Sequence, residues 1–398
     1  MSVQKHLSMS KVLQTPKILL IFAFLGLLAC DEDNEKPSLR TKIDYASLTD
    51  VTPYNSLFLD ASGVSTVDVL EGNTRLQMFQ ALNYHSSSSV SAQIPIDASV
   101  LENMFENSGD PFTDISTATL SISGDNLNAS DIQLRSVVAS SLPAAEAEAI
   151  RTKIESLFTE IAAASQSVST TASLGVAGKL GNYLVNEKGI EIAQIIQKSL
   201  IGALQLDYIG NVLLDEGLNA DNFQTVGDKN YTQLEHNWDE AYGLLTLNPI
   251  YLEGATDETR NTVEFGAGSY IWEYNKANYS KIYPAFLKGR AAIVNNDKAQ
   301  YQALATFIRT EFEKAIASAA LGYLDKWKTG TTDAARAHAI GEGLGFIYSL
   351  RFATLHDVDS EFSDSLLEDL IGSTNGFWDL DAGKINAASD AIKVKFNL

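Results

Sequence analysis

Residues 189–214 read GIEIAQIIQKSLIGALQLDYIGNVLL. Ile192, Ile195, Ile196, Leu200, Leu204 and Leu206 leave almost no polar face. A helix that is apolar all round belongs inside a core rather than on it. This stretch therefore predicts a central buried helix with other helices laid against it. Helical periodicity extends the pattern in both directions and predicts helices over 64–84, 141–165, 230–246, 262–277, 282–294, 297–324, 333–353, 363–371 and 383–395. Ser140 and Ser141 before Pro143 mark a helix start, and Ile150, Ile154, Leu157, Phe158 and Ile161 follow at helical spacing. Residues 107–133 are rich in turn formers and read as a long loop. Residues 92–96 (AQIPI) suit a short extended piece, but no alternating run is long enough to build a sheet. The expected fold class is all-α. It is a large helical bundle over residues 56–398, made of two pseudo-repeated half-bundles packed together, with halves 56–220 and 221–398.

The chain has 398 residues, 45% hydrophobic and 20% charged, with a net charge of −21. That composition is globular. The acidic excess argues against nucleic acid as a partner and against electrostatic attachment to anionic lipid. One cysteine excludes an internal disulfide framework and any Cys-rich metal site.

Lys5, Lys11 and Lys17 precede an apolar run from Ile18 to Ala29. As a helix that run rises about 18 Å, short of a hydrocarbon core of roughly 30 Å. A basic segment followed by a short apolar one reads as a secretory signal over residues 1–29. Leu27-Leu28-Ala29-Cys30 resembles the lipobox of bacterial lipoproteins, which implies cleavage before Cys30 and lipidation of its thiol. Loss of three lysines and no acid takes the mature chain to −24. Asp31-Glu32-Asp33-Asn34-Glu35 resembles the surface-export signal of Bacteroidota lipoproteins. Residues 30–55 read as an acidic flexible tether.

Two segments carry chemistry. His236-Asn237-Trp238-Asp239-Glu240-Ala241-Tyr242-Gly243-Leu244-Leu245 and His338-Ala339-Ile340-Gly341-Glu342-Gly343-Leu344-Gly345-Phe346-Ile347 share the pattern H-x-x-x-E-small-x-G-apolar-apolar. Positions i, i+4 and i+7 lie on one helical face. Each helix thus aligns a His, a Glu and a Gly, and Gly243 and Gly345 permit close approach of a neighbour or ligand. The repetition points to an internal duplication, with the two helices facing one another. Two imidazoles and two carboxylates that converge would bind iron, zinc or manganese. The expected metal ligands are His236, Glu240, His338 and Glu342, with Asp239 as an added oxygen. The alternative is a symmetric polar cluster that fixes how two halves pack. Glu191, Gln194 and Lys198 share a face of the central helix, as a polar seam or ligand lining. Arg290 and Arg351 interrupt apolar helices and are expected, with Gly243, Gly345 and Glu191, to line the ligand space; Glu240 or Glu342 would be natural partners for a buried guanidinium. The four tryptophans suit core or cavity lining, and His85, before the serines 86–89, suits the surface.

The His236–Gly243 stretch, Phe286-Leu287-Lys288-Gly289-Arg290-Ala291-Ala292 and Gly341–Phe346 resemble a Bacteroidota lipoprotein family, domain of unknown function 4856, over most of the mature chain. More distantly the chain is similar to imelysin-like proteins, which pair two helical bundles and carry a G-x-H-x-x-E motif implicated in iron uptake. Leu234 stands at that motif's Gly, Asp239 at its acid, and Gly341 at the acid position of the second copy. No H-E-x-x-H, G-x-S-x-G, P-loop or dinucleotide motif is present, so an enzyme is not expected. The expected function is a lipid-anchored outer-membrane protein that binds a metal ion or metal complex, iron favoured through the resemblance, in support of uptake. Its partners would be outer-membrane lipid through Cys30 and a TonB-dependent receptor or imelysin-like protein. The alternative is an interaction lipoprotein that partners an outer-membrane receptor.

Overall fold

The computed structural model describes residues 39–49, 52–245, 256 and 264–398. Residues 1–29, Cys30 and the acidic run behind it lie outside the described residues. The helices, in chain order, are α1 (Tyr54–Leu57), α2 (Leu70–Ala92), α3 (Ala98–Glu106), α4 (Gly124–Asn128), α5 (Ala144–Ser165) and α6 (Ile192–Leu200). After a π-helix (Ile201–Leu213) come α7 (Gln233–Leu245), α8 (Ala267–Tyr274), α9 (Lys276–Val294), α10 (Lys298–Thr329), α11 (Asp333–Ser349), α12 (Ser360–Ile371) and α13 (Ala382–Phe396). Two antiparallel hairpins, β1 (Ile115–Ser116) with β2 (Ser121–Ile122) and β3 (Gly178–Leu180) with β4 (Tyr183–Val185), decorate this all-α framework. No helix among the described residues is long and apolar enough to cross a membrane.

The central stretch behaves as its composition requires. From Ile201 to Leu213 all but Tyr208 and Val212 are buried, and α7, α10 and α11 pack around it. Its winding departs from the α-helix expected. The bond from Leu214 N–H to the Ile209 carbonyl spans five residues, at 2.9 Å. Gln205, on the π segment, is fully buried and ties two neighbours: its amide donates to the Leu244 carbonyl at 3.0 Å and accepts from the Ala267 N–H at 2.9 Å. Pi-helical turns are rare and commonly sit at functional positions.

Helices pair within the second half, where α10 packs on α8, α9 and α11, and also across residue 220. α2 packs on α7, and α6 on α11, so the first half supplies one partner of each crossing pair and the second half the other. α7 and α11 both rest on the π-helix but share no extensive contact with one another, which corrects the expected face-to-face arrangement. The expected tether is also shorter. Arg40 bonds to Glu235, the Ile43 N–H donates to Asn295 at 2.7 Å, and Tyr54 is buried in the core. The chain is therefore fastened from residue 40 onward.

α2 starts at residue 70 and runs to 92, where 64–84 was expected. The Asp68 carboxylate accepts the Leu70 N–H at 3.0 Å and helps set the start. The helix runs on through the serines, whose hydroxyls are satisfied by carbonyls one turn earlier, as Ser86 is by Leu82 at 3.2 Å, and the buried Val90 holds the last turn to the core. His85 is accordingly half-buried, and desolvation lowers its pKa. Residues 107–133 hold β1, β2 and α4, more structure than a loop.

Candidate functional site

α7 begins with a capping box. The Thr232 hydroxyl accepts the Glu235 N–H at 3.1 Å, and the Glu235 carboxylate accepts the Thr232 N–H at 2.8 Å. That start fixes the rotation of the helix and sends His236, Asp239 and Glu240 inward, at 8%, 0% and 3% exposure. Where α2 crosses α7, a Cβ on Gly243 would lie 2.7 Å from the Val69 carbonyl oxygen, and one on Gly72 2.4 Å from the Glu240 carbonyl oxygen. The two glycines thus bring backbone onto backbone.

This crossing places Glu71 and Arg75 of α2 against His236 and Glu240 of α7. The His236 Nε2 lies 3.8 Å from Glu71 Oε1 and 4.0 Å from Glu240 Oε2, too far for hydrogen bonds. One atom from each of the three residues falls within 4.8 Å of the others. Arg75 closes the square, paired with Glu240 and lying 3.3 Å from Glu71. The His236 ring stacks on Tyr231 at 4.9 Å, its Nδ1 is buried without a partner among the described residues, and Tyr208 donates to Glu240 at 3.4 Å. Burial raises the Glu240 pKa against the opposing charge of Arg75. The Glu71 side chain is 46% exposed and opens the cluster to solvent.

Asp239 points elsewhere. The fully buried Arg290 donates to Asp239 at 2.9 Å, Glu235 at 2.9 Å and Thr66 at 3.0 Å. Tyr54 donates to Asp239 at 2.7 Å, and Arg40 bonds to Glu235 at 2.8 Å. Burial pushes the Asp239 pKa up to about 6 while Arg290 opposes it. Asp239 is thus an ion-pair residue beneath the His–Glu cluster and not an added ligand of it. The partners of Arg290 are Asp239 and Glu235, and those of Arg351 are Asp364 at 2.6 Å and the Tyr348 carbonyl at 2.9 Å; neither guanidinium pairs with Glu240 or Glu342.

The second copy builds the same square from different helices. At α11 the His338 Nδ1 bonds to Glu191 Oε2, just before α6, at 2.7 Å. Glu342 pairs with Lys198 of α6 at 2.9 Å. The His338 ring stacks on Tyr183 at 4.1 Å. A Cβ on Gly345 would fall 2.5 Å from the Lys198 Cβ. Lys198 is 2% exposed, bonded also to Gln194 at 2.8 Å and held over the Tyr270 ring at 5.3 Å. Burial works against charge on His338, but the Glu191 hydrogen bond and charge offset it and raise the pKa. Desolvation raises Glu191, with His338 opposing.

The expected set of ligands is therefore split. His236 and Glu240 come together, His338 and Glu342 lie in a separate cluster, and Gly243, Gly345 and Glu191 each sit where a neighbouring helix or side chain meets these clusters. Sequence reasoning missed Glu71, Arg75, Glu235, Tyr183, Tyr208 and Tyr231. Of these, Glu71 with Arg75 (an i,i+4 pair) and Glu235 (in T-x-x-E) carried a signal.

No curated protein and no solved structure matches the chain. A family model, described as a domain of unknown function, matches residues 55–398 and takes in every residue of both clusters. On that match the chain belongs to the DUF4856 family.

Proposed function

We propose that this chain is a lipid-anchored binding protein of the outer membrane, held by Cys30, that takes a divalent metal ion at Glu71, His236 and Glu240 in support of metal uptake. The lipobox and the acidic run behind it support attachment and display at the cell surface of a Bacteroidota cell. The repeated His/Glu helices support an imelysin-like kinship, and that kinship favours iron. The carrying observation is the gap at His236. Its Nε2 faces two carboxylates at 3.8 and 4.0 Å without bonding to either. Small side-chain movements would bring all three to the roughly 2.0–2.2 Å bonds of a nitrogen–oxygen metal site. Arg75 balances one of the two carboxylate charges, so a divalent ion meets a net negative site.

A second reading, an interaction lipoprotein whose clusters only fix packing and which partners an outer-membrane receptor, is favoured by the basic residue in each square. Arg75 and Lys198 already neutralise Glu240 and Glu342. Titration of the mature chain with iron(II), zinc and manganese, followed by elemental analysis, separates the two. The metal reading expects one bound equivalent, lost in His236→Ala and Glu71→Gln and kept in His338→Ala. Retention of no metal, or equal loss in the two histidine variants, decides for packing.

A further inference from the structure

Beside the second square lies an open cleft of about 410 Å³, within the range of small-molecule sites. We propose that it binds a small carboxylate bearing a hydroxyl or amino group, independently of the metal reading. Its floor is one face of α11, where Ala335, His338, Ala339 and Glu342 follow at i, i+3, i+4 and i+7. The two alanines are low, so the His and Glu side chains stand above them. Tyr323 and Lys326 of α10 make one wall, and Tyr183 of β4 makes another.

Polar capacity is divided within this space. The Nδ1 of His338 is committed to Glu191, and its side chain is 30% exposed, which leaves the ring edge bearing Nε2 for the cleft. A buried carboxylate on one ring nitrogen stabilises the imidazolium, whose other nitrogen donates. Lys326 is half exposed, bonded to Glu273 at 3.0 Å and held 4.2 Å from the Tyr323 ring centroid. These are two cationic donors. Glu342 is the acceptor; held by Lys198 at 2.9 Å and by the Tyr323 hydroxyl, it keeps lone-pair capacity toward the cleft and does not repel an incoming anion as a free carboxylate would. His338 and Glu342 are i and i+4, so their Cβ atoms lie about 5–6 Å apart. A ligand that answers both needs an anionic acceptor and a hydrogen-bond donor on neighbouring atoms. A hydroxy acid or an amino acid has that arrangement. Inorganic phosphate brings a second charge to donors that each already face a carboxylate, Glu191 for His338 and Glu273 for Lys326, and it would face Glu342 as well.

Calorimetric titration of the mature full chain with lactate, alanine, acetate and inorganic phosphate tests the assignment. Lactate and alanine are expected to bind in the millimolar range or tighter, roughly fivefold or more better than acetate. Lys326→Met, on a half-exposed side chain that leaves the fold intact, is expected to weaken lactate by roughly fivefold or more, and His338→Leu by at least as much. His236→Ala should leave lactate binding unchanged whether or not the α7 cluster holds metal. Tighter binding of phosphate, equal binding of acetate and lactate, no binding of either substituted acid, or an unaffected Lys326→Met overturns the proposal.

Discussion

The α7 and α11 regions share one local sequence pattern and one arrangement of partners, yet they differ at one bond. In each, a basic residue from the neighbouring helix takes the motif glutamate: Arg75 takes Glu240, and Lys198 takes Glu342. In each, an acid from that same side faces the motif histidine, which stacks on a tyrosine. Glu191 reaches His338 at 2.7 Å, whereas Glu71 stops 3.8 Å from His236. The i,i+4 spacing therefore only places His and Glu side by side. The neighbouring helix decides which group each one bonds, and so whether the histidine is closed into a pair or left open to a third party.

The regions also differ beneath the square, and removal of that difference should have the largest effect. Arg290 is fully buried and holds both Asp239 and Glu235, whereas Arg351 pairs with Asp364, whose side chain is 62% exposed. Arg290→Met leaves two buried carboxylates short of a partner and should cost about 3–5 kcal/mol in denaturant unfolding. Arg351→Met should cost about 1 kcal/mol, since its partner returns to water. Equal losses would mean that the ion network under α7 is not what anchors that helix.

Next in size is the base of the α11 square. Lys198→Met strands Glu342 at 7% exposure and should cost about 3 kcal/mol. Addition of Glu342→Gln should recover most of that loss, because the charge left without a partner is then gone. If the double variant is as unstable as the single one, the loss comes from packing of the lysine stem rather than from the ion pair.

A smaller effect compares the crossings. Gly243→Ala drives a Cβ to 2.7 Å from the Val69 carbonyl oxygen, and Gly345→Ala drives one to 2.5 Å from the Lys198 Cβ. Both should lose about 1–3 kcal/mol by thermal unfolding. Gly345→Ala should lose at least as much, since the Lys198 Cβ moves only with its backbone and the Gln194 carbonyl oxygen stands 3.1 Å from the same point.

These comparisons also show where sequence was enough. Helical periodicity found the long helices, because burial of one stripe leaves its imprint residue by residue; it missed α3, whose nine residues are too few to show the period. The recurring motif was visible, since each H-x-x-x-E-small-x-G lies within ten residues. The partners were not visible, because Arg75 lies 165 positions from Glu240 and Glu191 lies 147 from His338. Nothing in a single chain links such positions without the fold. The π-helix was read as an ordinary buried helix, since an i→i+5 bond leaves the same apolar composition as i→i+4. The α2 boundary failed at the serines, whose type suggests a turn but which tertiary packing of Ser86 and Val90 keeps helical.

The smallest effect tests the one bond by which the two squares differ. The folded pKa of His338 is raised above the ordinary 6.5, and Glu191 is raised as well. The folded state therefore binds protons more tightly than the unfolded chain at both groups. The histidine's contribution is fully present below about 6.5, its value in the unfolded chain, and is lost as pH rises through the higher folded value. The glutamate acts in the same direction at lower pH. His338→Gln should consequently destabilise the protein more in mildly acidic buffer than in alkaline buffer, measured as the difference in unfolding midpoint from the parent chain across that range. Tyr183, Tyr323, Lys326 and Lys198 face the pair from other elements and Glu342 from the helix of His338 itself; Glu342 pairs with Lys198, and Lys326 with Glu273. A difference that stays flat with pH would show that Glu191 and His338 are joined by a neutral hydrogen bond, and that the shorter contact of the α11 square adds no charge to it.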